Sequence, residues 1–320
     1  MATVSLFCYA DAALTGPVGG LYRDIADQAA LADSAGYARF WLTEQHLSAR
    51  GRVPDSLQAL AFLAARTARI RLATGVLPAA VHDPVLAVES VLQLDALSGG
   101  RVDLGIGSGS EAGPILDVLG VGEHEPAERT ADLYALLAKV APGVVPELDG
   151  RALELDPPPA GPLIERVWTA AGRHALELAE RYGTGLLLPR PMPLPARVEL
   201  ARAYRAVVPD GRVAHFAAGF VAGSAAETRR LAAPFVQDYA RRYLGVEAGG
   251  PDTAAFADAA ERLELLLGEA PVVAEAIRAR LKDFDAADEV AIQLAGPGVA
   301  GGDVLDAIER LAPELPGLAA

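Results

Sequence analysis

Apolar residues fall into short runs separated by longer stretches in which they recur every three or four positions, and the alternation continues along the whole chain. It is sharpest over residues 69–109. Ile70, Leu72, Thr74 and Val76 predict a strand, and past Pro84 the apolar residues Val85, Val88, Val91, Leu92 and Leu97 take helical spacing. Ser98-Gly99-Gly100 predicts the helix stop, and a second apolar run over 102–106 predicts another strand. Two apolar strands joined by a helical crossover lie parallel, as one βαβ unit. Gly105, Gly107 and Gly109 at the second strand's end leave room for a ligand to approach the backbone.

The same reading extends in both directions. A strand over 3–9, a turn-rich loop at 15–20, a helix over 21–35 closed by Gly36 and a strand over 38–43 come first. A polar loop, 44–55, leads to a helix over 57–66 that Asp55 or Ser56 can cap. Residues 110–128 predict an acidic, glycine-rich loop with a helical piece at 115–119, and 129–140 a helix. The proline-rich stretch 141–162 suits either a domain linker or, as preferred here, a long connection within one barrel. Strands follow over 167–170, 185–188, 213–221 and 289–294, with helices over 174–182, 197–207, 225–243, 253–267, 271–281 and 303–311.

Eight strands separated mainly by helices, without hairpin signals, predict an α/β fold: a closed (β/α)8 TIM barrel forming one domain over 1–320. An open doubly wound sheet is the alternative. In a barrel the site lies at the C-terminal ends of the strands, near 9–11, 43–46, 74–76, 107–109, 170–174, 188–190, 222–223 and 295–296.

Composition narrows the function. Hydrophobic residues make up 52% and charged residues 22%, as in a soluble globular protein. With 28 Lys and Arg against 42 Asp and Glu, the net charge of -14 argues against nucleic acid or an anionic membrane as partner. An anionic cofactor therefore needs local groups to hold it. The single cysteine, Cys8, has no internal disulfide partner and reads as buried packing; no Cys/His cluster has metal-ligand spacing, so no metal is expected. The start of the chain has neither the basic residues nor the apolar length of a signal peptide or membrane span, and a cytoplasmic setting is the expectation.

Two stretches carry candidate chemistry. Ala171-Gly172-Arg173-His174 follows a strand and opens a helix, where free backbone N–H groups and a nearby arginine form an anion site; an ordinary strand-to-helix turn is the other reading. Glu44-Gln45-His46 sits at a strand end beside Trp41, where a histidine can relay protons and Glu44 can orient it; a loop histidine with one structural hydrogen bond is the bland reading. His82 and His124 are loop histidines with weaker claims. The spacing of Gly105, Gly107 and Gly109 resembles a dinucleotide turn only superficially, and close packing of a bound cofactor or of neighbouring loops explains it better.

The segments LATGVLP, HDP, LDALSGGR and GIGSG, with GYARFWLTEQH upstream and RVWTAAGRHALELAERYGTGLLL downstream, resemble the bacterial luciferase-like flavin-dependent monooxygenase family over most of residues 1–190. The resemblance implies that the turn from Ala171 through Gly172 and Arg173 to His174 holds an FMN phosphate, with Arg129 as a second phosphate-contacting arginine. It implies a non-proline cis peptide at Ala73 to Thr74 beside the flavin ring, with Ser108 and Gly109 also at the cofactor. Ser108 replaces an arginine of luciferases, and Gln45 replaces the first of two consecutive histidines, leaving His46.

The activity implied is an FMN-dependent monooxygenase that takes reduced flavin from a separate reductase and transfers one atom of O2 to a small organic substrate. An F420-dependent oxidoreductase on the same barrel and a non-catalytic flavin-binding protein are the alternatives. Loops 44–55 and 111–125 and the prolines near 191 would line the substrate pocket. The family pairs as a homodimer through the helices that here hold Leu57 to Ala65 and Val85 to Leu97, and both carry more apolar residues than one stripe needs.

Overall fold

The computed structural model describes residues 2–10, 18–48, 51, 53–109, 112–190, 192–284 and 289–318. The expected loop at 15–20 and the strand end at 9–11 therefore lie partly outside the described residues, as do 49, 50, 52, 111 and 191 of the expected pocket loops. The principal strands are β1 (Thr3–Cys8), β2 (Arg39–Leu42), β3 (Arg71–Pro78), β4 (Val102–Gly107), β5 (Val167–Ala170), β6 (Gly185–Leu188), β7 (Val213–Val221) and β8 (Glu289–Gln293). Among the helices are α1 (Val18–Ala35), α2 (Ser56–Ala64), α3 (Pro84–Ser98), α4 (Pro114–Leu119), α5 (Glu125–Leu137), α6 (Ala175–Tyr182), α7 (Leu194–Val207) and α8 (Ala225–Tyr239). They end within a few residues of the bounds that periodicity predicts.

The chain divides into two compact units. One comprises residues 1–41, 188–202 and 213–320. In it β8 lies between β1 and β7 and is parallel to both, with Glu289 opposite Thr3 on one side and Ala214 on the other. Glu289 is buried, and it is paired with Arg39 and accepts a hydrogen bond from Trp41 Nε1 at 2.6 Å. A buried carboxylate is tolerated only with such partners. Cys8 is fully buried at the end of β1, and burial pushes its thiol up to about 12.

The other unit comprises residues 42–187 and 203–212. Here β3, β4, β5 and β6 lie side by side, all parallel, as the opening βαβ pattern predicts. Helix α3 starts at Asp83, whose carboxylate accepts from the N–H groups of Val85 and Leu86, and Pro84 takes the first turn, where it lacks no needed donor. The helix stops at Gly99, whose φ of 70° is the left-handed conformation that glycine adopts without penalty.

Four local differences from the pattern have physical causes. Helix α5 begins at Glu125 rather than 129, with Pro126 in its first turn, so Arg129 sits one turn in. Residues 253–267 are not one helix: the helix ends at Arg262, Glu264 takes a φ of 54°, and Leu266–Gly268 forms a short parallel strand beside β7. Beyond α8 the chain continues to Leu244 as a π-helical turn. The proline-rich connection contains an antiparallel hairpin, Glu147–Leu148 against Arg151–Ala152, although no hairpin is expected from the sequence pattern. Its turn is Asp149-Gly150, with φ values of 49° and 74°, the dipeptide that two-residue hairpins favour.

That connection is tied down by one buried acid. Asp95 on α3 accepts from Arg166 Nη1 at 2.5 Å and from the Ala160 N–H at 3.0 Å. Asp95→Ala should strand the Arg166 charge, lowering stability by about 3 to 5 kcal/mol. Urea denaturation checks this, and a midpoint equal to that of the wild type would contradict it.

Candidate active site

The site is built within the unit of residues 42–187 and 203–212. Glu44 leaves the end of β2 and is buried. Its Oε2 accepts from both the N–H (3.0 Å) and the hydroxyl (2.6 Å) of Ser56, the first residue of α2. Its Oε1 accepts from His46 Nε2 at 2.9 Å and from His82 Nε2 at 2.5 Å. Burial alone would raise the carboxyl, but the hydrogen bonds from the two imidazoles and Ser56, with the charge of His82, outweigh it and hold Glu44 at about 2.

An ionised carboxylate only accepts, so both facing nitrogens carry protons. That fixes each imidazole, when neutral, as the tautomer with a free lone pair on Nδ1. The side chains of His46 and His82 remain 18% and 20% exposed, so these lone pairs can meet a ligand or water. The two rings stand 6.3 Å apart, tilted by 68°. The arrangement is therefore a pair of proton acceptors oriented by one shared acid.

His82 was the weaker candidate by sequence, and its partner lies 38 residues away. The usable signal was its place in the His82-Asp83-Pro84 turn, directly before the capped helix α3. Gln45 does not join the trio. Its side chain lies against Gly51, where a Cβ would come within 2.1 Å of Gln45 Oε1. Although no metal-ligand spacing is present in sequence, the fold brings single donor atoms of Glu44, His46 and His82 within 4.8 Å of one another. The short carboxylate-to-imidazole contacts are hydrogen bonds, at 2.9 and 2.5 Å.

A short turn joins this trio to the expected cofactor residues. The 3-10 turn Ala79–Val81 follows β3, and His82 is its C-terminal cap. The Ala80 carbonyl accepts from Arg129 Nη1 at 2.9 Å, and the Ala80 N–H donates to the Ser108 carbonyl at 3.0 Å. Arg129 thus reaches the ends of β3 and β4 from the second turn of α5. Gly109, with φ of 73°, allows this packing, because a Cβ there would lie 3.0 Å from Pro78 and 3.2 Å from Ala80. The glycines at the end of β4 accommodate the neighbouring loop.

The non-proline cis peptide is present, but at Gly75-Val76 rather than at Ala73 to Thr74. Ala73 and Thr74 are buried and keep regular pairing with Asp103 and Leu104, and Thr74 Oγ1 donates to the Gly105 carbonyl at 2.8 Å. The register shifts only after Thr74, where the cis bond falls.

At the end of β5 the turn Ala171 to His174 is largely exposed before α6. The Ala171 N–H is taken by the Leu187 carbonyl, while among the described residues Gly172, Arg173 and His174 donate their N–H groups to no carbonyl. Three unpaired N–H groups at a helix start, beside the Arg173 side chain, suit a phosphate. His174 leans toward Glu177, with Nδ1 3.6 Å from the carboxylate.

The sequence matches the family described as luciferase-like monooxygenase over residues 2–291, and the chain belongs to that family. A 4-hydroxyprotoasukamycin monooxygenase from Streptomyces nodosus subsp. asukaensis is 33% identical over 175 residues, 52% of this chain and 47% of the relative. The match thus spans about half the length of that curated relative. The crystal structure of monooxygenase RslO1 from Streptomyces bottropensis superposes with a TM-score of 0.82 at 20% identity, covering 99% of this chain and 100% of the other. The oxygenating constituent of 3,6-diketocamphane monooxygenase from Pseudomonas putida, in complex with FMN, gives 0.72 at 15% identity, with 100% and 99% covered. Such likenesses establish the fold, a (β/α)8 TIM barrel. No helix among the described residues is long and apolar enough to cross a membrane.

Glu44 supplies a pH test. Its carboxyl lies below its ordinary value of 4.5, at about 2, so its contribution is full above pH 4.5 and disappears as the pH falls to about 2. Glu44→Gln should destabilise the protein by on the order of 3 kcal/mol near neutrality. The gap from wild type should close across that acid range in urea titrations, and a gap independent of pH would contradict it.

Proposed function

We propose that the chain is an FMN-dependent monooxygenase that receives reduced flavin from a separate reductase and inserts one atom of O2 into a small organic substrate. The observation that carries this reading is the turn Ala79–Val81, which ties the Arg129 anchor to the Glu44–His46–His82 relay. The residues fit the cofactor. The N–H groups of Gly172, Arg173 and His174, with the Arg173 side chain, take the phosphate, and the second guanidinium arm of Arg129 adds charge from the β3 and β4 ends. Bound there in reduced form, FMN supplies the two electrons that send one oxygen atom to the substrate and the other to water.

The protein's own part is proton management. His46 and His82 present Nδ1 to the reacting centre while Glu44 stabilises whichever imidazole becomes charged, as a buried acid does for a histidine base. Gln45, turned onto Gly51, takes no part. His46 and His82 thus form a two-membered replacement for the consecutive histidines of the resembled family.

His46→Ala and His82→Ala should each slow product formation and divert O2 to hydrogen peroxide while leaving FMN affinity near that of the wild type. Arg129→Ala or Arg173→Ala should instead weaken FMN binding by roughly 1.5 to 3 kcal/mol for each charged hydrogen bond lost. Absorbance titrations with FMN and with F420 measure the affinities, and the ratio of peroxide to product measures coupling. Tight F420 binding without FMN binding would point to hydride transfer. Binding of neither, or full coupling in His46→Ala, would refute the assignment.

We also propose a homodimer through α2 and α3. Most of their apolar residues are buried within the unit, but Phe62, Leu86 and Leu97 are 46%, 62% and 60% exposed. A second copy covering them would bury more than roughly 1,000 Å². Light scattering should give a dimer that Leu86→Glu dissociates, and a monomer mass for the wild type at micromolar concentration would contradict it.

A further inference from the structure

In the unit formed by residues 1–41, 188–202 and 213–320, arginines commonly face carboxylates: Arg39 faces Glu289, Arg197 faces Glu264, Arg229 faces Asp252 and Arg310 faces Asp306. This is expected of a chain with 42 acidic and 28 basic residues. Arg190 and Arg242 depart from the pattern, because among the described residues no carboxylate lies within 4.0 Å of either guanidinium.

They are held by tyrosines instead. The Arg190 guanidinium lies 4.3 Å from the ring centre of Tyr239 and 5.4 Å from that of Tyr243. The Arg242 guanidinium lies 5.2 Å from the same Tyr243 ring, 5.7 Å from that of Tyr9, and Nη2 donates to the Tyr9 hydroxyl at 3.1 Å. Two cations therefore share one aromatic face system, with no carboxylate within 4.0 Å among the described residues.

Tyr239 is the buried base of the platform. It meets Phe235 and Tyr243 edge-on at 4.3 and 5.3 Å, and is hydrogen-bonded through its hydroxyl to Gln293. Burial pushes the Tyr239 hydroxyl up to about 12, so it offers no negative charge near neutrality. Gln293 ends β8, Tyr9 follows β1 and Arg190 follows β6, which places the cluster at C-terminal strand ends, where enzymes of this fold bind substrates. Ring contacts leave most guanidinium N–H donors unused, and a planar fork of such donors matches an oxyanion.

We infer that Arg190 and Arg242, on their tyrosine platform, form a subsite for a carboxylate, sulfonate or phosphate group of a small organic anion. Anion binding at these arginines does not depend on the oxygenase reading.

Calorimetric titration of the purified protein with benzoate, phenyl phosphate and neutral benzyl alcohol tests it, with FMN and riboflavin titrated alongside. One or both anions should bind and benzyl alcohol should not. Arg190→Gln and Arg242→Gln should each weaken anion binding about tenfold or more. Arg190→Lys, which keeps the charge without the fork, should recover part of it. Arg242 is exposed, so its variant tests the site even where Arg190→Gln folds poorly.

Wild-type protein that binds neither anion, or variants that bind them as well as wild type, would overturn the inference. So would variants that lose affinity for FMN but not riboflavin, since the arginines would then hold the cofactor's phosphate. Anion binding that depends on both arginines, in a protein that binds no FMN, would support the subsite and overturn the oxygenase reading alone.

Discussion

A buried carboxylate survives only when every lone pair is answered, and Glu44 is answered by four donors from three places in the chain. Ser56 contributes the start of α2, His46 the loop after β2, and His82 the turn after β3. Satisfying one acid thus sets where three loops stop. The same requirement orients two imidazoles so that Nδ1, when either ring is neutral, is the nitrogen left to accept. Because Asp83 caps α3 beside His82, that histidine is positioned by the helix start as well as by its acid.

The barrel was legible because its determinants are local. Alternating apolar runs and helical spacing placed β3, α3 and β4 within a residue or two, and Asp55, Gly99 and the sequence around Pro84 supplied caps and stops that the structure contains. What escaped were places where one residue overrides periodicity. Asp149-Gly150 turned a presumed irregular connection into a hairpin, and Glu264 ended a helix early by taking a left-handed conformation.

The candidate site was half legible. Glu44 and His46 lie two residues apart and announce themselves at a strand end. His82 needed a partner across a whole βα crossing, and nothing in the spacing of a single sequence gives that distance. The cis peptide shows the limit in a different way. A resemblance named the strand, but the bond falls after Thr74, at a glycine beyond the regular pairing with β4. The Arg190 and Arg242 cluster was invisible for a simpler reason: two arginines are ordinary in a sequence until, among the described residues, no carboxylate is found within 4.0 Å of either.

The burial of Cys8 bears on how long such a catalyst would last. On the proposed reading, reduced flavin and O2 would generate peroxide whenever a turnover went astray, and thiols are damaged by peroxide as thiolates, at a rate set by ionisation and access. The chain has one cysteine; it is fully buried and burial keeps it protonated. Both routes of attack on it are closed, so oxidative wear at sulfur should start at methionine rather than at this thiol.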